Sequence, residues 1–263
     1  MTTEQPASTP AGTSTSAPPG ASVIGVDIGG TGIKGAPVSV GQGSLTKERI
    51  RLLTPSPATP DAVAKTVAQL LEQIDSPGTV GLTLPAVVRN GVVETAANID
   101  PSWIGINSVD LFANATGRAV GVVNDADAAG LAETRFGAGR DRRGVVVMVT
   151  LGTGIGSAVF ANGALVPNTE LGHLPLHGGD AERWAAESVR ERDGLSWRKW
   201  ARRLQEYFEL LEELLWPDLF IVGGGVSKKA DKFLPHLRLN TEIVAATLQN
   251  DAGIVGAALS APS

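Results

Sequence analysis

Cysteine is absent from the 263 residues. That excludes disulfides and thiolate-held metal, and it is compatible with a chain kept in a reducing cytoplasm. No apolar run approaches the roughly 20 residues a membrane-spanning helix needs. The opening residues lack the apolar core of a signal peptide. No surplus of basic charge exists either: the net charge is −5 and the pI about 5.3. Neither nucleic acid nor a membrane is therefore an expected partner. What is present is a chain with 43% hydrophobic residues, enough for a substantial core, in one large domain or two small ones.

Residues 1–22 are Thr, Ser, Ala, Pro and Gly around a single charge, Glu4. Such a segment cannot bury enough apolar surface to offset its ordering entropy and reads as a flexible tail. The folded region starts with Val23-Ile24-Gly25-Val26, a β-branched run suited to a buried strand. Gly35–Val40 and Glu48–Leu53 follow as strands, with Gly41-Gln42-Gly43 as the turn between them. Pro60-Asp61 opens a helix whose apolar face is Val63, Val67, Leu70, Leu71 and Ile74, stopped by Pro77-Gly78. Val80–Leu84 is a strand, Asn90-Gly91 a hairpin turn, Val109–Ala115 a short helix and Val120–Val123 a strand. Ala126–Phe136 is an alanine-rich helix.

The pattern then restarts. Gly144–Leu151 is a strand, Gly152-Thr153-Gly154-Ile155-Gly156 a glycine turn, Ser157–Phe160 a strand, and Asn162-Gly163 another hairpin. A strand, a Gly/Thr turn and a strand, twice, is an internal repeat. A helical pattern from Ala181 breaks near Asp193-Gly194 and resumes from Trp197 to Leu215, an aromatic stripe at 3.6-residue spacing that reads as core. Leu219–Val222 is a strand into a third glycine turn, Gly223-Gly224-Gly225. Ala252–Ala258 is a small-residue helix suited to close packing.

Three glycine turns, each after a buried strand, describe backbone N–H groups converging on a row of phosphates. None has the Gly-Lys-Ser/Thr ending of a P-loop, and none has the Rossmann glycine spacing. Asp27, at the end of the first strand beside Gly29-Gly30-Thr31, fits a metal–phosphate site or an ordinary glycine hairpin. Asp125 has two readings: a carboxylate at a strand end that can reach a substrate hydroxyl, or the N-cap of the helix that follows. Asp127 is a rival base, but helical geometry points it elsewhere. Glu170 and His173 either contact a ligand or stabilise their own loop. His177 reads as a surface residue.

Taken in order, these motifs resemble the ROK family (repressors, open reading frames and sugar kinases), from Val23 to Ala258. The carriers are Asp27-Ile28-Gly29-Gly30-Thr31, Asn98 with Trp103, Asn124-Asp125-Ala126-Asp127, Leu151–Gly156, Glu170-Leu171-Gly172-His173 and Ile221–Gly225. Ser188–Trp197 is similar to the family's polyphosphate-using glucokinases. The resemblance implies an α/β, actin-like (ribonuclease-H-like) duplicated fold with two α/β domains around a central cleft. Residues 23–123, with the helix at about 250–263, would form the smaller domain and residues 124–249 the larger.

The resemblance also implies phosphoryl transfer to the 6-hydroxyl of glucose, and of mannose as a further substrate. Asp125 would take the hydroxyl proton. Asn98, Asn124, Glu170 and His173 would hold sugar hydroxyls, with Glu187 as a further contact. Phosphates would be held by Asp27, Gly29, Gly30, Thr31, Gly32 and Lys34, by Thr150, Gly152, Thr153 and Gly154, and by Gly223, Gly224, Gly225 and Lys228. Mg2+ would sit on Asp27 through water. The family's Cys-rich zinc motif after Glu-x-Gly-His is missing here; Leu174–Arg183 takes its place, so no structural zinc is expected and His173 is left for sugar.

Donor choice between ATP and inorganic polyphosphate turns on a cationic track. Its candidates are Lys228, Lys229 and Lys232, or Arg192, Arg198, Lys199, Arg202 and Arg203. The alternatives are a strictly ATP-dependent hexokinase of the same family, a non-catalytic sugar-binding regulator, and an actin-like polymerising ATPase. No helix-turn-helix pattern precedes Val23, which argues against the repressor branch. A monomer and a homodimer are both compatible with the sequence.

Overall fold

The computed structural model describes residues 23–97 and 99–263. The expected tail, 1–22, and Asn98 lie outside the described residues. The first half runs β1 (Val23–Ile28), β2 (Ile33–Ser39), β3 (Ser44–Leu45), β4 (Ile50–Leu52), α1 (Pro60–Ile74), β5 (Thr79–Leu84), β6 (Val88–Arg89), β7 (Val92–Val93), α2 (Ser108–Thr116) and β8 (Val120–Asn124). α3 (Asp125–Phe136) leads to the second half: β9 (Val145–Leu151), β10 (Ile155–Ala161), β11 (Ala164–Val166), β12 (Pro175–Leu176), β13 (Gly179–Asp180), α4 (Glu182–Ala185), α5 (Glu187–Arg192), α6 (Trp197–Leu215), β14 (Leu219–Gly223), β15 (Glu242–Ala245) and α7 (Ala252–Leu259).

Two sheets repeat one topology. The first is ordered β3-β2-β1-β5-β8, with β4 also on β2; the second is β11-β10-β9-β14-β15. In each, a central strand pairs antiparallel with the strand after it and parallel with a later one, β1 with β2 and β5, β9 with β10 and β14. The parallel pairs put the ends of β1, β5 and β8 on one edge, and those of β9 and β14 on the corresponding edge of the other sheet. Loops at such edges are where α/β sheets bind ligands.

Each sheet has its own outer core. α1 and α2 cover one, through Val67, Leu70, Leu71 and Phe112; α6 covers the other, through Trp200, Leu204, Tyr207, Phe208 and Leu211. A third core lies between the sheets, where α3 and α7 meet β1, β2, β9, β10 and β14. α7 sits flush on the first sheet because Gly25, Gly81 and Gly121 stand in register on β1, β5 and β8. A methyl on any of them would overlap the backbone of Ile254, Ala257 or Ser260. On its other side Gly256 touches the backbone of α3 at Ala128.

Several element bounds differ from expectation. The strand expected at Glu48–Leu53 is only Ile50–Leu52, and the two-residue β3 precedes it. α1 ends at Asp75, which takes a left-handed φ of 45°, before the Pro77-Gly78 stop is reached. β10 starts at Ile155, so the second glycine turn is Gly152–Gly154, shorter than predicted. The helix from Ala181 breaks also at Ala186, whose backbone is extended. The stripe on α6 is buried as far as Leu211, while Leu214 faces solvent at 58% exposure.

Candidate active site

Asp27 is set by three neighbours. Thr83, fully buried on β5, accepts the Ile28 N–H at 3.0 Å and donates its hydroxyl to Asp27 Oδ1 at 3.2 Å. Lys34 Nζ stands 3.5 Å from Oδ2. Gly253, at the start of α7, has no side chain, and an added Cβ would press on this carboxylate. The turn beyond is closed by Gly29 N–H to the Gly32 carbonyl at 3.2 Å. Its carbonyl O at Gly29 takes the Thr54 hydroxyl at 2.5 Å.

The cap at the head of α3 is Asn124. Its Oδ1 accepts the N–H groups of Ala126 and Asp127 at 2.8 and 3.1 Å, and its Nδ2 donates to the Ala86 carbonyl at 3.1 Å. Asn124 is therefore the N-cap, with its amide committed to backbone at both ends. Its side chain also borders the cavity in which it is expected to hold sugar. Asp125 adds one bond from the Ala126 N–H at 2.9 Å and otherwise faces the cavity. Burial, then the Asp27 carboxylate, pushes its pKa up to about 7. Asp127 points away: it is buried, its Oδ2 accepts the Asn168 N–H at 2.8 Å, and burial raises it to about 6.

Asn168 then spans the two halves. Its side chain accepts the Val88 N–H and donates to the Val88 carbonyl, both at 3.0 Å. Two residues on, Glu170 lies 3.5 Å from His173 Nε2, and His173 Nδ1 lies 3.7 Å from Asp180. Burial raises the Glu170 pKa.

One cavity of about 450 Å³ joins these groups. Asp27, Gly29, Gly30 and Lys34 line it, with Thr150, Gly152, Thr153, Gly154, Gly223, Gly224 and Gly225, and with Asn124, Asp125, Glu170 and His173. All three glycine turns thus share one space with Asp125. The second and third pack directly on each other: Gly224, at φ 82°, leaves no room for a Cβ against the Leu151 backbone. Two N–H groups expected to face phosphate are spent inside their own turns, Gly29 on Gly32 and Gly152 on Gly154 (3.1 Å).

Other expected residues stand outside the lining. Thr31 is exposed and its carbonyl accepts from Arg51 at 2.9 Å; Gly32 is buried against the Arg51 guanidinium. Lys228 is exposed in the 3-10 helix after the third turn. Glu187 sits in the first turn of α5, 3.8 Å from Arg190, and burial raises its pKa. Glu182 lines the cavity instead and accepts the Ile155 N–H at 3.2 Å. Gln249 and Asn250 do so too. No sequence pattern marks these three; the chain brings them in from helix and loop ends.

The ROK family profile matches residues 23–189. The chain belongs to the ROK family. It is 52% identical over 257 residues to the polyphosphate glucokinase of Mycobacterium tuberculosis, covering 96% of this chain and 97% of that one. Among solved structures it resembles the inorganic polyphosphate/ATP-glucomannokinase of Arthrobacter sp. strain KM (53% identity, TM-score 0.88, 91% of this chain and 97% of that one). It also resembles a ROK glucokinase of Streptomyces griseus in complex with glucose and AMPPNP (26% identity, TM-score 0.79, 91% and 99%). The duplicated sheets are accordingly those of the actin-like α/β fold. No described helix is long and apolar enough to cross a membrane.

ROK membership raises the question of metal. Among the described residues no three His, Asp or Glu are grouped to cage an ion. Mg2+ seldom uses such a cage; it takes one or two carboxylates and completes its octahedron with water and phosphate. Asp27, close enough to Asp125 to raise its pKa, is a donor set of that kind.

Proposed function

We propose that this ROK-family chain transfers a phosphoryl group from inorganic polyphosphate, and from ATP, to the 6-hydroxyl of glucose. The observation that carries the reading is the shared cavity: three glycine turns open onto the same space as a carboxylate with a pKa of about 7. Phosphoryl transfer needs positioning and charge stabilisation more than covalent help from the protein. Lys34 and the free N–H groups of the three turns would hold the donor's oxygens. Asp125 would take the proton of the attacking hydroxyl as its oxygen bonds to phosphorus and the donor's bridging oxygen departs. Glu170 and His173 would orient the sugar, supplying acceptor and donor. Asp27 would hold Mg2+ through water, and the ion when bound would neutralise part of the donor's charge.

Purified protein with glucose, Mg2+ and polyphosphate, free of ATP, tests this. Glucose 6-phosphate is expected, read by a coupled dehydrogenase; none formed overturns the polyphosphate reading. Mannose in place of glucose extends the assay, a reading favoured by the glucomannokinase likeness.

A further inference from the structure

The two candidate cationic runs meet different fates. Arg192 and Arg203 both close on Asp193, at 2.8 and 3.0 Å, and Arg203 also donates to the Trp184 carbonyl. The charge of these two is spent within the fold, while Arg198, Lys199 and Arg202 of the same run are exposed on α6. The second run is the one that continues directly from a cavity-lining turn, Gly223–Gly225. Gly225–Lys232 is a pair of 3-10 turns leaving the third glycine turn, joined by a kink at Lys229 (φ −115°, ψ 23°), and Lys228, Lys229 and Lys232 on it are exposed. At about 2 Å per residue, Lys228 stands roughly 6 Å from Gly225 along the first of these turns.

Trp197 organises the run. Lys229 and Lys232 reach its ring at 5.8 and 5.7 Å, and Arg190 lies over it at 4.1 Å. Arg190 is itself neutralised by Glu191 at 3.2 Å and Glu187 at 3.8 Å. Among the described residues neither Lys229 nor Lys232 has a carboxylate within the 4.0 Å of an ion pair. Asp231 is the exposed acid beside them in sequence, and Glu187 lies close enough for Lys229 to favour its charged form. Trp197 is also stacked on Phe233, at 6.2 Å and 17°. Arg190 and Phe233 thus lie against the indole, with Lys229 and Lys232 within cation–π reach of it. α5 is tied to the cavity wall beside it: Ser188 donates its N–H to the Gly152 carbonyl and its hydroxyl to the Thr153 carbonyl, at 3.0 and 2.6 Å.

We infer that Lys228, Lys229 and Lys232, leaving the third glycine turn beside Trp197, form the track for the distal phosphates of a polyphosphate donor. The inference rests on polyphosphate being the donor and names where its unreacted length lies. A short nucleotide triphosphate ends within the cavity; a long polyanion must continue along a wall, and this wall carries uncommitted positive charge on a chain whose net charge is −5. Such contacts release counterions, so binding weakens with salt in proportion to the number of cations engaged.

The test compares wild type with Lys229→Glu/Lys232→Glu, using long-chain polyphosphate, tripolyphosphate and ATP. The KM for long-chain polyphosphate is expected to rise at least tenfold relative to the KM for ATP. The slope of log KM against log salt should flatten by about 1–2. Tripolyphosphate should follow ATP. Lys229→Gln/Lys232→Gln should give a smaller shift of the same sign. Equal changes for all three donors, or none, overturn the track. Calorimetric titration of long-chain polyphosphate separates the two readings. Binding by wild type that the double variant loses, without turnover in either, keeps the track and removes the proposed reaction; absent binding by wild type removes the track.

Discussion

Burial and the Asp27 carboxylate push Asp125 up to about 7, so pH decides whether it can accept a proton. Below that value it is protonated and cannot act as base, and kcat/KM should fall about tenfold per pH unit there. Asp27→Asn removes the like charge, so its acid limb should move to lower pH, measured as a kcat/KM profile; an unmoved limb would separate the two carboxylates. Asp125→Asn should lower turnover by roughly 10²–10⁴ while glucose binding, read by titration, is largely kept. Stability should move the opposite way. The folded pKa of Asp125 lies above its ordinary 3.8, so the folded state holds the extra proton between about pH 4 and 7. That contribution is full below pH 4 and is lost as pH rises through 7. Asp125→Asn should therefore raise Tm at pH 8, by roughly 2–4 °C for each kcal/mol of relieved penalty, less at pH 5, and change it little only below pH 4.

At the scale of elements, close packing of backbone on backbone governs. Gly81 lies under α7 with no space for a methyl, so Gly81→Ala should cost about 1–3 kcal/mol or more by urea unfolding. A loss as small as for an exposed strand position would contradict the packing. α1 and α6 were legible from 3.6-residue spacing because each has one solvent face and one core face. β15 was not: only Ile243 and Val244 lie in its apolar middle, and it is half-buried at the sheet edge. β12 and β13 are two residues each, too short for any period. The site was legible to a similar degree. Glycine turns after strands, and Asp125 at a strand end, pointed to residues that the structure brings to one cavity. Thr31, Gly32, Lys228 and Glu187, which the family resemblance implies as contacts, stand outside the lining, with Arg51 against Thr31 and Gly32 and Arg190 against Glu187. Glu182, Gln249 and Asn250 reach it from elements far along the chain.

Across the whole molecule, the halves are joined by α3, by α7 and by the Asn168 side chain on Val88. Asn168→Ala removes two hydrogen bonds, worth about 1–2 kcal/mol together. It should raise the KM for glucose more than it lowers kcat, because Glu170 is two residues away; equal effects on both would point to general loosening. α7 joins more deeply. Removing residues 252–263 should leave the first sheet open to protease, where a local role would leave only a frayed end. The row of bare strand glycines has a consequence for synthesis. β1, β5 and β8 leave the ribosome long before Ala252–Leu259 is made, with Gly25, Gly81 and Gly121 uncovered in the meantime. The half that is translated earlier is thus completed by a helix translated after the whole of the second sheet, and a nascent chain stalled before Ala252 would hold its first sheet uncovered.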